Sequence, residues 1–147
     1  MNQHPDCKAC NANAHPQEGA FIKEYNHWIL QHYSTPAPTV GWLVCRAKRH
    51  SEGLESMNEA EAEEFAQIMV SVPKALKEVT GAARTYAVCF GEAVPHLHFA
   101  FIARHTDEEF KGPKIFEHER MMKEDPAQAA DAAECKRVSA AIRERLD

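Results

Sequence analysis

The run Val94-Pro95-His96-Leu97-His98-Phe99-Ala100-Phe101-Ile102 constrains this chain more than any other segment. It reads as a strand, and strand side chains at i and i+2 point to one face. His96, His98, Ala100 and Ile102 then share one face, and Leu97, Phe99, Phe101 and Ala103 share the other. The second set is apolar throughout and fit for a core. Paired imidazoles backed by a greasy face suggest a site built on a rigid scaffold. Neutral imidazole can serve as nucleophile, acid–base group or metal ligand near neutral pH. The plainer alternative is two surface histidines on an edge strand, and the spacing alone does not separate the two.

Further strands are expected over Phe21 to Tyr25, His27 to Tyr33, Val40 to Ala47 and Arg84 to Phe90. Pro36 and Pro38 mark the connection before the third of these, because proline cannot join a ladder. The first 19 residues read as loop with a possible metal knuckle, and Ser51 to Met57 as loop. Ala62, Phe65, Met69, Val72, Leu76 and Val79 recur at helical steps and predict one long amphipathic helix. Ser56 with Glu59, or Asn58 with Glu61, can form its capping box, and Thr80-Gly81 ends it. Pro73 inside the stripe predicts a kink rather than two helices. Thr106 to Lys123 is polar and reads as irregular. Asp125-Pro126 predicts the start of a last helix, with Cys135, Val138, Ile142 and Leu146 as its stripe. That helix is expected to pack on the domain or on a second subunit. The pattern specifies an α+β fold, a sheet with helices on one face.

A chain of 147 residues suits one compact domain with a real core. No run approaches the roughly 20 apolar residues of a membrane span, and Met1-Asn2-Gln3-His4-Pro5-Asp6 lacks the apolar core of a signal peptide. Five cysteines, an odd number, suit reduced thiols and a metal site better than a disulfide framework. A cytoplasmic setting is expected. The net charge of −5 argues against bulk binding to nucleic-acid backbones.

Cys7-Lys8-Ala9-Cys10 offers two soft thiolates close enough for one tetrahedral ion. A zinc site would complete its set with histidines, of which the chain has nine. His15 is the local choice. An unliganded pair and a redox pair are the other readings, although no βαβ unit of the redox type is visible.

Three stretches together resemble the histidine-triad family. Gly91-Glu92-Ala93-Val94-Pro95-His96-Leu97-His98-Phe99-Ala100-Phe101 is similar to its His-x-His-x-His signature. Gly41 to His50 looks like its Gly-His-x-Leu-Val-x-Pro-Lys-Arg-His strand, followed by Leu54 and Asn58-Glu59. Cys7 and Cys10 stand where zinc-bearing members open with Cys-x-x-Cys. The resemblance covers residues 7 to about 104. It implies a roughly five-stranded antiparallel sheet with a long helix on one face, residues 1–116 forming this domain and 117–147 an added helical extension. It also implies a homodimer, since many relatives join two sheets into one.

The resemblance nominates His50 and His96 as the zinc ligands beside Cys7 and Cys10. It places His98 as the nucleophile that forms a nucleotidyl-histidine at an α-phosphate. The implied function is a nucleotide hydrolase or nucleotidyltransferase acting on an adenosine-containing substrate, a dinucleoside polyphosphate or a phosphoramidate. The chain departs from the pattern at Ala100, where the third histidine or another polar group would hold phosphate. It departs again at Glu92-Ala93, where a Gln-Ser/Thr pair would meet the leaving group. Glu92 and Ala100 are therefore the expected but altered phosphate and leaving-group positions. The alternative function is a catalytically weak or inactive nucleotide-binding or zinc-stabilised scaffold.

Overall fold

A computed structural model describes residues 3–147. Met1 and Asn2, which open the segment read for a signal peptide, lie outside the described residues. Five strands form one sheet: β1 (Phe21–Glu24), β2 (Trp28–His32), β3 (Trp42–Ala47), β4 (Arg84–Val88) and β5 (His98–Arg104). Their spatial order is β1-β2-β3-β5-β4, and every neighbouring pair is antiparallel. Each expected strand run holds a strand, trimmed at one end or both. The histidine strand, expected over Val94 to Ile102, runs instead from His98 to Arg104. Pro95 has no N–H to donate, and the His96 N–H turns back to the Val94 carbonyl at 2.8 Å.

The alternation within β5 is the one expected. Leu97, Phe99, Phe101 and Ala103 all enter the main core. They meet Trp28 and Leu30 of β2, and Leu43 and Cys45 of β3. Helix α2 (Glu59–Thr80) covers this face with Phe65, Ile68, Val72 and Leu76, and α4 (Ala132–Leu146) adds Val138 and Ile142. Fully burying a side chain of this size contributes about 1.5–3 kcal/mol, so this layer dominates stability. The opposite sheet face carries a smaller cluster, Trp42, Val44, Ile102 and Ile115, with Ala100, Val88 and Phe116 packed against it.

The α2 stripe is rotated from the expected one. Ala62 and Met69 are exposed, and the buried line is Glu61, Phe65, Ile68, Val72, Ala75 and Leu76. Phe65, Val72 and Leu76 lie on both lines, and Glu61, Ile68 and Ala75, each one residue before an expected position, complete the buried one, so the core-facing stripe is turned by part of a helical turn. Pro73 lies inside one helix. Asn58 and Glu61 form the capping box, and Gly81 ends the helix at φ 67°, a left-handed conformation that glycine adopts without a Cβ penalty.

Three segments differ from expectation. The first 19 residues contain a short helix, α1 (Lys8–Ala14), whose N-cap is the Cys7 sulfur accepting from the Cys10 N–H. Gly112–Phe116 forms a 3-10 turn that leads into α3 (Glu117–Glu124). That helix lacks an apolar stripe; instead Arg120 bridges Glu117 and Glu124, and Lys123 bridges Glu119. Asp125 caps only a 3-10 turn, Pro126–Gln128. The Ala130 N–H then bonds the Ala37 carbonyl, and α4 starts after a second cap, Asp131. Among the described residues no helix is long and apolar enough to cross a membrane.

Candidate functional site

Two cysteines seven and ten residues into the chain meet two histidines from distant segments. The ligand atoms of Cys7, Cys10, His50 and His96 all lie within 4.8 Å of one another. Cys7 caps α1 and Cys10 sits in its first turn; His50 follows β3, and His96 precedes β5. The His96 Nδ1 atom is 3.4 Å from the Cys7 sulfur and 3.6 Å from the Cys10 sulfur, and the His50 Nδ1 atom is 3.4 Å from the Cys10 sulfur. Tetrahedral zinc with bonds of about 2.3 Å to sulfur and 2.0–2.1 Å to nitrogen sets its S···N edges at about 3.6 Å. The cluster therefore has the donor set and the edge lengths of a Cys2His2 zinc site. His15 is outside it; as the C-cap of α1 it bonds back to Asn11.

Hydrogen bonds around the cluster aim its lone pairs inward. The His96 Nε2 atom lies 2.7 Å from the Ala47 carbonyl oxygen, which can only accept. Nε2 must carry the proton, so the Nδ1 lone pair faces the sulfurs, the usual arrangement of a metal-binding histidine and its outer partner. Burial lowers the His96 pKa and keeps the ring neutral, opposed in part by the Ala47 bond. Burial raises the Cys10 thiol pKa, while the His4 N–H donating to its sulfur acts in the other direction. A bound dication reverses the first effect and favours both thiolates. The His4 ring also stacks on His50 at 5.3 Å between centroids.

His98 faces a different task. Its Nδ1 atom is 2.6 Å from the His96 carbonyl oxygen. By the same reasoning Nδ1 donates, and the neutral ring keeps its lone pair on Nε2. The side chain is half-buried on the sheet face opposite α2, and the half-buried Ala100 follows it on that face. The structure thus separates the two histidines: one lone pair turns to the thiols, the other stays free of them.

The remaining expected groups divide sharply. Glu92 is exposed in the turn before β5. Arg49 is committed to Glu61 and to the Ser56 carbonyl, and Lys48 to Glu24 and the Tyr25 carbonyl. Trp28 is fully buried in the main core and Trp42 in the smaller cluster. His105 bonds the Val40 carbonyl and His118 bonds Glu108.

Two residues that the sequence reading did not weigh belong beside His98. Arg46 is its cross-strand partner in the β3–β5 register. The Arg46 Nη1 atom donates to the Gln31 Oε1 atom at 3.0 Å, and the Gln31 Nε2 atom donates to the Ala12 carbonyl of α1 at 3.2 Å. The available signal was a lone arginine inside an otherwise apolar strand, Trp42–Ala47.

No protein-family model and none of the curated proteins match the chain. Solved structures do. A Hit-like protein from Bartonella henselae, involved in cell-cycle regulation, superposes with a TM-score of 0.69 at 17% identity, covering 98% of this chain and 99% of that one. A hypothetical histidine triad nucleotide-binding protein from Sulfolobus tokodaii gives 0.70 at 18%, covering 95% and 91%. A zinc-bound histidine triad family protein from Mycobacterium smegmatis gives 0.70 at 14%, covering 96% and 93%. Similarity over nearly the whole length of each chain, with a Cys2His2 cluster at the end of the sheet, shows that this chain has the histidine-triad fold.

Proposed function

We propose that this protein binds a nucleotide and cleaves it at the α-phosphate through a covalent nucleotidyl-His98, with a structural zinc held by Cys7, Cys10, His50 and His96. The observation that carries the reading is the pair of opposed imidazoles. His98 donates from Nδ1 to the His96 carbonyl and keeps an Nε2 lone pair, whereas the His96 lone pair faces the sulfurs. In the proposed step His98 Nε2 attacks the phosphorus, and the bond to the leaving group breaks with its electron pair. The positive charge that develops on the ring is stabilised by the His96 carbonyl. Water or another acceptor then breaks the phosphorus–nitrogen bond and restores His98. Zinc, when bound, supplies cross-linking rather than chemistry: it ties α1 to the segments that flank β3 and β5. The substrate class is adenosine-containing, a dinucleoside polyphosphate or a phosphoramidate, with Glu92 and Ala100 at the leaving-group and phosphate positions.

A second reading keeps the fold and zinc without turnover. Ala100 has no polar atom, and Glu92 is exposed in its turn, which favours a weak or inactive nucleotide-binding protein. Product release from a panel of dinucleoside polyphosphates and adenosine phosphoramidates, compared between wild type and His98→Ala at equal zinc content, tests the first reading. Turnover that His98→Ala abolishes supports it. A nucleotide-induced rise in Tm without turnover selects the second, because a ligand of the folded state stabilises that state.

The same reading includes a cytoplasmic setting, which five free cysteines support. It includes a homodimer joined through a sheet edge; β4 forms one edge of the sheet, and sedimentation at micromolar concentration tests it. Residues 117–147 act as the added extension, with α4 bracing α2 and the sheet.

A further inference from the structure

We propose that Arg46, oriented by Gln31, is an oxyanion subsite of the His98 face and takes the charged phosphate oxygens of the substrate. The proposal rests on the nucleotide reading above and deepens it. Arg46 and His98 are Cα partners in an antiparallel pair, so their side chains leave the same face of the sheet with Cβ atoms about 4.5–5.5 Å apart. Trp42 and Val44 precede Arg46 on that face in β3, and Ala100 and Ile102 follow His98 in β5. This is the face on which Ala100 offers no hydrogen bond.

The guanidinium is half-buried, yet among the described residues no carboxylate lies within ion-pair distance of it. Among the described residues its one hydrogen bond to a protein group is the neutral Gln31 carbonyl oxygen at 3.0 Å. Gln31 is itself buried and fixed by the Ala12 carbonyl, so the amide cannot swing away. Guanidinium carries five N–H donors in a planar fork, and one is used. A desolvated cation without a counter-charge is costly, and buried charges are normally paired. Arg49, four tenths exposed, shows the contrast: it is fully engaged by Glu61 through two nitrogens. An incoming phosphate oxygen would supply the missing partner to Arg46. The arrangement also links the two halves of the site. Helix α1 carries both thiolates at its start and the Ala12 carbonyl near its end, so the element that zinc anchors also positions the arginine.

Calorimetric titration of the zinc-loaded full chain with AMP, adenosine and inorganic pyrophosphate tests this, on wild type, Arg46→Met and Arg46→Lys. Wild type is expected to bind AMP more tightly than adenosine. Arg46→Met should weaken AMP by roughly ten- to a hundred-fold, the scale of a charge-assisted hydrogen bond, and leave adenosine unchanged. Arg46→Lys keeps the charge and loses the fork, and should fall between the two. It also carries the test alone should Arg46→Met fail to fold or to hold zinc. AMP affinity unaltered in every folded variant overturns the subsite and leaves the nucleotide reading standing. Pyrophosphate binding that needs Arg46, with no added affinity for AMP, keeps the subsite and removes the nucleotide reading. Wild type that binds neither AMP nor pyrophosphate overturns both.

Discussion

At the scale of the residue, the proposed site turns on what stands at two positions of one sheet face, His98 and Ala100. His98 has its tautomer set by a backbone carbonyl at 2.6 Å, a constraint that costs nothing to maintain during a reaction. Ala100 lies two residues on and points to the same face. Introducing imidazole there places a donor on the face that His98 occupies. If half of a charge-assisted bond of about 1.5–3 kcal/mol appears only in the transition state, Ala100→His raises kcat/KM by roughly 3- to 10-fold. The check is steady-state kinetics on the nucleotide panel with Tm held constant, since overpacking against Val44 and Val88, the cross-strand partners of Ala100, can cancel the gain. A stable variant with no gain on any substrate would mean that Ala100 does not limit the rate. Cys10 gives a second expectation at this scale. Its sulfur approaches both histidine Nδ1 atoms, so Cys10→Ala should lose the metal and lower Tm together, as read by metal analysis and calorimetry. A variant that keeps stoichiometric zinc would remove Cys10 from the ligand set.

Among the elements, α2 shows how a single acidic residue ties a helix start to the loop before the site. Glu61 is buried, bonds the Asn58 N–H in the capping box and receives Arg49 through two nitrogens. The Arg49 hydrogen bonds hold its carboxyl below the ordinary carboxylate value, with burial acting the other way. A depressed carboxylate pKa adds stability that is present above the unfolded-state value and lost as pH falls through the folded one. Glu61→Gln should therefore destabilise the protein at neutral pH by about 1–2 kcal/mol and converge with wild type in acid, below the normal carboxylate range. Urea titrations at several pH values measure this, and a pH-independent gap would contradict it. The same helix shows what could be read from sequence. Its apolar recurrence and its Gly81 stop are local signals and were legible, and Asn58 with Glu61 was one of the two caps the sequence offered. Helix α1 was not, because seven residues without an apolar stripe have no periodicity to detect; its N-cap is a cysteine and its anchorage is the cluster itself. Helix α3 was hidden for a related reason, since charge pairs rather than burial mark it. The start of α4 was misplaced because Asp125 and Asp131 are equally good caps, and only the tertiary bond from Ala130 to Ala37 decides between them. Cys7 and Cys10 were legible from their spacing, whereas His50 and His96 were named only through the family resemblance, because nine histidines leave the choice open until the fold brings two of them to the thiols. Arg46 and Gln31 were passed over because a lone polar residue in a strand acquires meaning only from its cross-strand neighbour.

The whole molecule joins a core on one sheet face to the proposed site on the other. The C-terminal helix belongs to the core: Ile142 is fully buried in the main cluster with Val138. Ile142→Ala should cost about 2–5 kcal/mol, the range for deleting a large aliphatic side chain from a packed interior. Denaturant unfolding checks it, and a loss below 1 kcal/mol would mean that α4 packs loosely on the sheet. The cluster ties α1 to the segments around β3 and β5, and α4 packs on the core face, leaving His98 on a strand paired to β3 at Arg46. The central claim is that His98, with His96 turned toward the thiols, is the nucleophile. Its most direct test is intact-mass analysis of the zinc-loaded protein during incubation with adenosine phosphoramidates and dinucleoside polyphosphates, followed by peptide mapping of any acid-labile adduct. The account predicts one added nucleotidyl group, located on His98 and absent from His98→Ala; an adduct on His96, or turnover that His98→Ala retains in full, would contradict it.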